Sequence, residues 1–373
     1  MKILIAGLGL IGGSFALALR DRGIADEILG VEKSDENAAE ALRLGLADRI
    51  VTLEEGVPQA DLVVLATPVD TIPLMAIKAL NHVTDRQVVM DMGSIKAELC
   101  EVISMHARRG RFVAAHPMWG TEYSGPRAAQ HGAFTGRNAV LCEAERSDAD
   151  ALATVERIFR TLDVPVVYMG AEEHDLHAAY VSHISHVTSF ALALTVLEKE
   201  REERHIFDLA GGGFAYPPVA DHAQDDRTRR RRRADRRFRE GQFDPAHHSL
   251  TAMGTTAETG RMGERAAAEF LRRAGYEICA LNWRSGRYEL DIVARKGDFV
   301  HFVEVKTRCA DGLTPPEAAV TPQKFRALTR AALRYMACTG EEREAQFDLI
   351  AVEVMPGGET EVRLIPQAME YNW

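Results

Sequence analysis

The sequence predicts an α/β protein, with a doubly wound parallel sheet in its first part and a small α/β domain in its last. Two observations lead to this prediction. Short apolar strands alternate with helical patterns from Lys2 to about Met169, a rhythm typical of a parallel sheet covered by helices. From Met253 onward, a helical pattern is followed by alternating strands, another helix and a further strand. With 373 residues and 46% hydrophobic content, the chain can bury two such cores.

The first strand, Lys2 to Ala6, runs into a glycine-rich turn and then into a helical pattern. The turn carries the glycines of a GxGxxG motif: Gly7, Gly9 and Gly12. The first glycine permits the tight turn, the second lets a pyrophosphate approach the backbone, and the third lets the helix pack closely on the strand. We expect the diphosphate at the helix N-terminus, on free N–H groups that include those of Leu10 and Ile11.

An acidic residue stands where a ribose ligand is expected. The second strand, Glu27 to Val31, is followed by Glu32, twenty residues after Gly12. A carboxylate at this place binds the ribose 2′-hydroxyl, and its pairing with the glycine turn predicts a dinucleotide-binding Rossmann domain. Because a carboxylate repels a 2′-phosphate, NAD is favoured, while the adjacent Lys33 leaves NADP open.

Polar residues follow two further predicted strands. Thr67 and Pro68 come directly after Leu62 to Ala66, and Ser94 comes shortly after Val88 to Met90. The carboxyl ends of strands in a doubly wound sheet face the ligand crevice, so we expect these residues to face the cofactor. For Ser94 a second interpretation is equally open, because a serine just before a helix is a good N-cap.

His116 is the candidate acid–base residue of the first part. It ends a predicted strand that starts near Arg111, and it opens a loop with two glycines and several hydroxyl side chains. A histidine in this position can accept a proton near neutral pH, although a single histidine is more often a satisfied structural residue.

Five motifs extend this pattern along the chain. They are GLGLIGGS, ATPVD, DMGSIK, HPMWGTEYSG and HDLHAAYVSHISH. Their order and spacing resemble those of the prephenate/arogenate dehydrogenase family of tyrosine biosynthesis, over about residues 1–214. The resemblance implies a NAD-binding Rossmann domain at residues 1–170 and a helical dimerisation and substrate domain from residue 171. It also implies a homodimer that acts on prephenate or arogenate.

The reaction implied by this resemblance is an oxidative decarboxylation. NAD takes a hydride from the ring carbon that bears the hydroxyl of prephenate, carbon dioxide leaves, and 4-hydroxyphenylpyruvate forms. The family's catalytic histidine falls on His116, which accepts the hydroxyl proton in its neutral form, so activity should fall at acid pH. Ser94 is implied to bond His116 or the substrate hydroxyl, and Thr121 and His183 are implied to contact the substrate.

Several histidines follow at helical spacing in the pattern that runs from Ala171 to about Lys199. They are His174, His177, His183 and His186. A metal site is one interpretation of this spacing, but the family resemblance explains the histidines without a metal. The chain departs from the family at Ser185, where proline is usual.

The family pattern stops after Phe214. The family continues with a helix that carries a carboxylate-binding arginine and with further packing helices. This chain has no match to them, so the helical domain at 171–214 is expected to be truncated. Loss of these helices exposes their apolar partners, which predicts impaired substrate binding, dimerisation and folding stability.

Residues 215–252 form an arginine-rich segment, with nine arginines between Arg227 and Arg239. Because Phe238 is the single large apolar residue of that run, the run can bury no face, which predicts a disordered linker. A nucleic-acid contact is one alternative. We favour another, a shifted reading of the lost dehydrogenase end that fuses two neighbouring genes, since Met253 resembles a natural start.

The last part, residues 253–373, places two acids and a lysine on neighbouring strands. Asp291 lies in the predicted strand Tyr288 to Ala294, and Glu304 and Lys306 lie two residues apart on the next strand, where they share a face. Two carboxylates suit a hard cation such as Mg²⁺, and a lysine can orient the water that attacks a phosphodiester. A surface salt bridge is the alternative interpretation.

The wider sequence of this part resembles the YraN-like family, which has the PD-(D/E)xK restriction-endonuclease fold. The resemblance rests on GERAAAEFL, GYEICALNWRSGRYELDIVA and HFVEVKTR. The resemblance adds Glu264 to the acidic set. Where the family has GEIDLIA, this chain has YELDIVA, which retains the acidic residues Glu289 and Asp291. The implied activity is metal-dependent cleavage of DNA. For the whole chain, the alternative is that only this domain acts, by cleaving or binding nucleic acid.

Charge and composition limit the partners and the compartment. Residues 1–214 carry 20 basic and 31 acidic side chains, which favours a small-molecule enzyme over a nucleic-acid binder. Residues 253–373 carry 16 basic and 18 acidic side chains, so this part has no net positive charge that would attract nucleic acid. Five cysteines without a CxxC pair are expected to be free thiols. Since the sequence predicts neither a membrane span nor a signal peptide, we expect a cytoplasmic protein without a membrane partner.

Overall fold

The computed structural model describes residues 1–183, 256–309, 321–355 and 359–369. The described residues up to Asp175 and from Thr256 onward belong to one compact unit, and Leu176 to His183 belong to another. The arginine-rich segment and the predicted helix beyond His183 lie outside the described residues. Within the described ranges, no helix is long and apolar enough to cross a membrane.

The first part of the chain folds as a β-sheet with helices packed on it. Its strands are β1 (Lys2–Ala6), β2 (Glu27–Val31), β3 (Arg49–Ile50), β4 (Leu62–Leu65), β5 (Val88–Asp91), β6 (Phe112–Pro117), β7 (Ala139–Cys142) and β8 (Val166–Met169). Its helices are α1 (Leu10–Asp21), α2 (Asp35–Arg43), α3 (Leu53–Gly56), α4 (Ile72–His82), α5 (Ala97–Ile103), α6 (Ala149–Thr161) and α7 (Ala171–Ala178). A π-helical turn, Ala179–His183, follows α7.

The strand order of this sheet is β3-β2-β1-β4-β5-β6-β7-β8. Strands β1 to β6 pair in parallel, whereas β7 runs antiparallel to β6 and parallel to β8. Strands β2 and β3 lie on one side of β1, and strands β4 to β8 lie on the other side. Because the order of the strands reverses between β1 and β4, a crevice opens between the loops that follow these two strands. This order confirms the predicted doubly wound sheet.

Local sequence signals explain where some helices begin and how α1 is held. Ser34 caps α2 by accepting a hydrogen bond from the N–H of Asn37 at 3.3 Å. Thr52 and Glu55 form a capping box at the start of α3. The buried face of α1 carries Phe15, which packs edge-on against Phe134 with ring centroids 5.7 Å apart. This packing fixes α1 and the turn that precedes it.

The last part of the chain forms a five-stranded mixed sheet with two helices. Its strands are β9 (Glu277–Ser285), β10 (Tyr288–Lys296), β11 (Phe299–Cys309), β12 (Glu344–Val354) and β13 (Thr360–Met369). Its helices are α8 (Thr256–Arg273) and α9 (Pro322–Thr339). The order is β13-β12-β11-β10-β9, with β11 and β12 parallel and the other neighbours antiparallel. The predicted second α/β domain is thus confirmed.

Helix α9 also packs against α5. Arg330 of α9 pairs with Glu98 at 2.8 Å, and Arg334 donates a hydrogen bond to Ser104 Oγ at 2.9 Å. Surface pairs of this kind each stabilise by about 0.2–1 kcal/mol. The larger contribution comes from buried apolar residues, since Leu333 and Ile103 lie in one continuous hydrophobic cluster.

Candidate functional site

The glycine turn between β1 and α1 has the geometry that its spacing predicts. Gly7 has a φ of +87°, and a Cβ added there would lie 2.7 Å from the carbonyl oxygen of Ala66. A Cβ added at Gly12 would lie 1.9 Å from the carbonyl oxygen of Gly7, so a side chain there would force α1 away from β1. At Gly9 the nearest atom to an added Cβ is the backbone nitrogen of Gly125 at 3.9 Å, an ordinary van der Waals distance, so a methyl group would fit there without a clash.

The N-terminus of α1 offers backbone donors to an anion. The helix begins at Leu10, its N-cap is Gly9, and no side chain caps it. The N–H groups of a first helical turn, which here include those of Leu10 and Ile11, have no partner inside the helix. A helix N-terminus without a side-chain cap fits a bound diphosphate.

Glu32 follows β2 and is tied to the same turn. One carboxylate oxygen, Oε2, accepts a hydrogen bond from the N–H of Leu8 at 3.3 Å. The other, Oε1, accepts from the N–H groups of Lys33 and Ser34 at 3.1 and 3.3 Å. The half-buried carboxylate is therefore held beside the glycine turn, where the sequence predicts the ribose ligand.

The loop after β4 lies next to the glycine turn. A Cβ added at Gly7 would lie 2.9 Å from the backbone nitrogen of Thr67. Thr71 Oγ1 donates to the carbonyl oxygen of Pro68 at 2.7 Å and lies 2.9 Å from Thr67 Oγ1. The predicted cofactor residues on β1, β2 and β4 thus meet at one edge of the sheet.

His116 lies near the end of β6 and contacts α7. Its Nδ1 is 2.8 Å from Nε2 of His174, and Nδ1 of His174 is 2.8 Å from Oδ1 of Asp175. His174 is 2% exposed, whereas His116 and Asp175 are half-buried. The three side chains form a continuous hydrogen-bonded chain, which the sequence analysis did not predict.

Asp175 also caps helix α5. Its Oδ1 accepts a hydrogen bond from the N–H of Lys96 at 2.8 Å, and its Oδ2 accepts one from Ala97 at 2.9 Å. The N-cap residue of α5 is Lys96, and its side chain makes no capping bond. The interpretation of Ser94 as the N-cap is therefore wrong, because the carboxylate from α7 satisfies two N–H groups and places its charge at the positive end of α5.

A buried ion pair underlies this arrangement. The ammonium of Lys96 contacts Oδ2 of Asp91, and both side chains are 0% exposed. Asp91 ends β5, and its carboxylate also accepts hydrogen bonds from the N–H groups of Gly93 and Ala115 at 2.8 and 3.2 Å. Since Ala115 directly precedes His116, Asp91 ties the strand that carries the histidine to the loop that carries the lysine.

These surroundings keep His116 neutral. Burial, followed by the Lys96 ammonium, lowers the pKa of His116 to about 3, while the Asp175 carboxylate acts in the opposite direction. An imidazole with this pKa is uncharged at neutral and mildly acid pH, so one of its ring nitrogens bears a lone pair. The predicted fall of activity in acid is therefore expected near the lowered pKa of about 3 and not near 6.5.

Three other predicted residues of the first part have no established role. Ser94 is exposed, and the ring of His116 is bonded to His174 instead. Thr121 is exposed, and its Oγ1 accepts a hydrogen bond from the N–H of Tyr123 at 3.3 Å. His183 ends the π-helical turn, and its side chain lies outside the described residues, as does His186. The substrate contacts of Ser94, Thr121 and His183 stay predictions.

A second cluster of charged residues lies in the sheet of the last part. Asp291 of β10 accepts a hydrogen bond from the N–H of Val305 in β11 at 2.8 Å. Glu304 of β11 is 3% exposed, and its Oε1 lies 2.5 Å from the ammonium of Lys306 and 3.0 Å from that of Lys324. The predicted pairing of Glu304 with Lys306 is present, and Lys324 of α9 is an additional partner that the sequence analysis missed.

The structure does not assemble the predicted acidic set around a metal. Glu264 accepts a hydrogen bond from Asn282 at 2.8 Å, and Glu289 pairs with Arg284 at 2.6 Å. Across the described ranges, no group of three or more histidine, cysteine, aspartate or glutamate side chains could hold a metal ion. Glu304, with both lysines on one oxygen, is engaged by ammonium groups. These residues therefore do not fit the expected Mg²⁺ site.

Asp291 is held in a surrounding that disfavours its charge. Burial and the Glu304 carboxylate raise the pKa of Asp291 to about 6, although the N–H of Val305 and the two lysines act in the opposite direction. An aspartate in an unfolded chain has a pKa of about 3.9. Because the folded state binds this proton more tightly, the stability of the fold decreases as the pH rises from about 4 to about 6.

Replacing Asp291 by asparagine is therefore expected to stabilise this domain at about pH 7 by about 1–3 kcal/mol and to change little at about pH 4. The asparagine oxygen can still accept the hydrogen bond from Val305. Hydrogen exchange of the β10 and β11 amides, measured at both pH values, checks the prediction. Asp298→Asn, at an exposed turn position, is the control. Equal effects of Asp291→Asn at both pH values would contradict the assigned cause.

Comparison with known proteins identifies relatives for both parts. The family model described as prephenate dehydrogenase, nucleotide-binding domain, matches residues 15–168, and the model of its dimerization domain matches residues 170–216. The uncharacterised protein family UPF0102 matches residues 263–352. Both resemblances inferred from the sequence motifs are confirmed.

Relatives of the first part include prephenate dehydrogenases. The chain is 33% identical over 215 residues to that of Bacillus subtilis and 32% identical over 217 residues to that of Lactococcus lactis, covering 57% of this chain in both cases. It spans only 58% and 59% of the lengths of these two relatives. Prephenate dehydrogenase from Aquifex aeolicus matches at 32% identity with a TM-score of 0.53, over 57% of this chain and 77% of that one.

Relatives of the last part carry no assigned activity in their names. The UPF0102 protein of Nitratidesulfovibrio vulgaris is 50% identical over 95 residues, which cover 25% of this chain and 71% of the relative. That of Syntrophus aciditrophicus is 39% identical over 119 residues, which cover 32% of this chain and 93% of the relative.

Proposed function

Because the first part of the chain belongs to the prephenate dehydrogenase family and its last part to the UPF0102 family, we propose that the first part is a NAD-dependent prephenate dehydrogenase. The proposed reaction converts prephenate to 4-hydroxyphenylpyruvate by oxidative decarboxylation, a step of tyrosine biosynthesis. The observation that supports it best is the neutral imidazole of His116, held at one edge of the sheet that also carries the glycine turn.

The chain's own residues account for cofactor binding. NAD, when bound, supplies the acceptor for the hydride. The uncapped N-terminus of α1 suits its diphosphate, which the N–H groups of Leu10 and Ile11 can bind. The carboxylate of Glu32 can accept a hydrogen bond from the ribose 2′-hydroxyl and repels a 2′-phosphate, so NAD is favoured over NADP.

His116 has the protonation state that the proton transfer requires. Its Nδ1 is occupied by the bond to His174, which leaves Nε2 to accept the proton of the substrate hydroxyl. The ring carbon can give up its hydride more readily as that proton leaves. Loss of carbon dioxide needs no further residue, because formation of the aromatic ring drives it.

The test is formation of NADH by the full-length chain with prephenate and NAD, with 4-hydroxyphenylpyruvate identified by chromatography. Arogenate in place of prephenate would yield tyrosine, so the same assay decides between the two substrates. Binding of NAD is measured separately to establish that the preparation is competent. A preparation that binds NAD but forms no NADH with either substrate would refute the proposal.

The shortened helical domain affects how well the enzyme is expected to work. The chain spans 58% of the Bacillus subtilis relative, and the sequence has no match to the family's carboxylate-binding arginine. We therefore propose a high KM for prephenate and a weak homodimer, in the cytoplasm. Without that arginine, a substrate carboxylate loses a charge-assisted bond that contributes about 1.5–3 kcal/mol.

A second candidate function applies to the last part of the chain, where Asp291, Glu304 and Lys306 lie on adjacent strands. Two ammonium groups next to a half-buried carboxylate can bind a phosphodiester, which supports cleavage or binding of nucleic acid such as DNA. No step is assigned to Mg²⁺, since the described acidic residues do not form a site for it.

Cleavage of DNA is expected to be lost in Asp291→Ala and in Lys306→Ala, because these changes remove the carboxylate or the ammonium at the proposed site. The assay follows a labelled duplex and a labelled single strand with divalent cations supplied. Arg284→Ala, which removes an exposed pair with Glu289, serves as the control. If the wild type cuts no faster than the two site variants, cleavage is excluded and only binding is left to measure.

A further inference from the structure

We propose that His174 and Asp175 are positioning residues that fix the tautomer of His116, so that its proton is on Nδ1 and its Nε2 is the base. The catalytic role in this inference rests on the proposed dehydrogenase function, whereas the hydrogen-bond geometry does not depend on it. It requires only the hydrogen-bonded chain that joins α5, α7 and β6 among the described residues.

The chain of bonds starts at the N-terminus of α5. The Asp175 carboxylate accepts hydrogen bonds from the N–H groups of Lys96 and Ala97, so it is held in one orientation and faces two donors. A carboxylate is an acceptor only, so the third bond, to His174 Nδ1 at 2.8 Å, requires a proton on that nitrogen. This fixes the first of the two rings.

If the ring of His174 carries only the proton on Nδ1, its Nε2 is an acceptor. That Nε2 lies 2.8 Å from Nδ1 of His116, which must then be the donor. His116 is kept neutral by its surroundings, so its Nε2 bears a lone pair. The other tautomer would present an N–H to the substrate hydroxyl and could not accept its proton.

The burial of His174, the middle residue of the three, favours a single hydrogen-bonding arrangement. His174 is 2% exposed, so water cannot readily replace either of its partners. Asp91 and Lys96, both fully buried, hold the neighbouring backbone at Gly93 and Ala115 and limit movement of the rings. The structure therefore gives His174 a role that its position in the sequence, 58 residues after His116, does not reveal.

Asp175→Asn is the sharpest test because it reverses the direction of the chain. With its NH₂ in the place of Oδ1, the amide donates to His174 Nδ1 and gives up the bond from the N–H of Lys96, while its oxygen keeps the bond from the N–H of Ala97. His174 then carries its proton on Nε2 and donates to Nδ1 of His116, whose own proton moves to Nε2. Long-range ¹H–¹⁵N spectra of histidine-labelled protein report the tautomer, with the His116 signal assigned from His116→Asn.

We expect the Nδ1–H tautomer of His116 in the wild type and the Nε2–H tautomer in Asp175→Asn. Glu173→Gln, a neighbouring exposed carboxylate on α7, is expected to leave the signals unchanged. An Nε2–H tautomer of His116 in the wild type would overturn the proposal. These spectra need neither substrate nor turnover.

Kinetic measurements distinguish a positioning role of His174 and Asp175 from a purely structural one. In His174→Ala and Asp175→Asn, kcat is expected to fall about 10–100-fold while KM for NAD is unchanged, since the base is disoriented but the cofactor site is intact. In His174→Gln the amide oxygen can accept from His116 Nδ1, so activity is expected to be partly restored relative to His174→Ala. Equal kcat in all variants would overturn the role. An inactive wild type refutes the dehydrogenase proposal instead, and the spectra still decide the tautomer.

Discussion

His116→Asn is expected to lower kcat for prephenate-dependent NADH formation by about 10²–10⁴-fold, the range that a positioned acid–base group contributes. Asparagine is close in size to part of the imidazole and can keep a hydrogen bond to His174, but it cannot take up a proton. The hydroxyl proton of prephenate would then have to leave to water from a half-buried site. Steady-state kinetics with both substrates saturating measures the effect.

The loss must be specific to the proton transfer for the assignment to hold. NAD affinity, measured by titration, is expected to be unchanged in His116→Asn, because the glycine turn and Glu32 do not contact His116. His131→Asn is the matched control, since His131 is exposed and pairs with Asp21 on the surface. Wild-type kcat in His116→Asn would show that another group, or water, accepts the proton.

Much of the cofactor site could be predicted from the sequence because its signals are local. The glycine spacing fixes a turn whose geometry depends on a few neighbouring residues, and Glu32 follows the next strand at a set distance. The parallel order of β1, β2 and β4 then brings these residues to one edge. Gly7, Glu32 and Thr67 lie together in the structure for this reason.

The surroundings of His116 could not be predicted in the same way. His174 and Asp175 come from a different helix, and their contacts with His116 and Lys96 depend on how α7 and α5 pack. The error at Ser94 has the same origin. A serine before a helix is a good cap by sequence, but Asp175 offers two acceptor oxygens and a negative charge to the same N–H groups.

The second domain shows a similar division between local and long-range information. The alternation of β10 and β11 predicted that Glu304 and Lys306 share a face, and they form a contact. Lys324 could not be foreseen, because it arrives from α9, whose position on the sheet is set by packing. Strand β13 was missed for another reason: it is an edge strand, where Pro366 is tolerated and where much of the surface is polar and exposed.

Two single substitutions in the glycine turn are expected to weaken NAD binding for different reasons. In Gly12→Ala, the new methyl group would lie 1.9 Å from the carbonyl oxygen of Gly7. A backbone oxygen cannot move aside as the end of a flexible side chain can, so α1 must shift away from β1. This shift loosens the buried contacts of Phe15. We expect the fold of the first part to lose about 1–3 kcal/mol or more, as in overpacked cores, together with NAD binding.

Gly9→Ala is expected to behave differently because the backbone and the space at Gly9 both allow a methyl group. Its φ is −77°, and no atom lies closer than 3.9 Å to the added Cβ. The thermal unfolding temperature should therefore stay close to that of the wild type. The affinity for NAD should fall by about tenfold or more, a loss of about 1.4 kcal/mol, since the methyl occupies space that the diphosphate needs.

Thermal unfolding followed by circular dichroism, together with calorimetric titration of NAD, distinguishes the two effects. Gly260→Ala is the control for the change of residue type, because it lies inside α8 with nothing within 4 Å of the added Cβ. It should leave NAD affinity unchanged and stabilise the last part slightly, as alanine does in a helix. If Gly9→Ala binds NAD as tightly as the wild type, the cofactor does not approach the backbone at this turn.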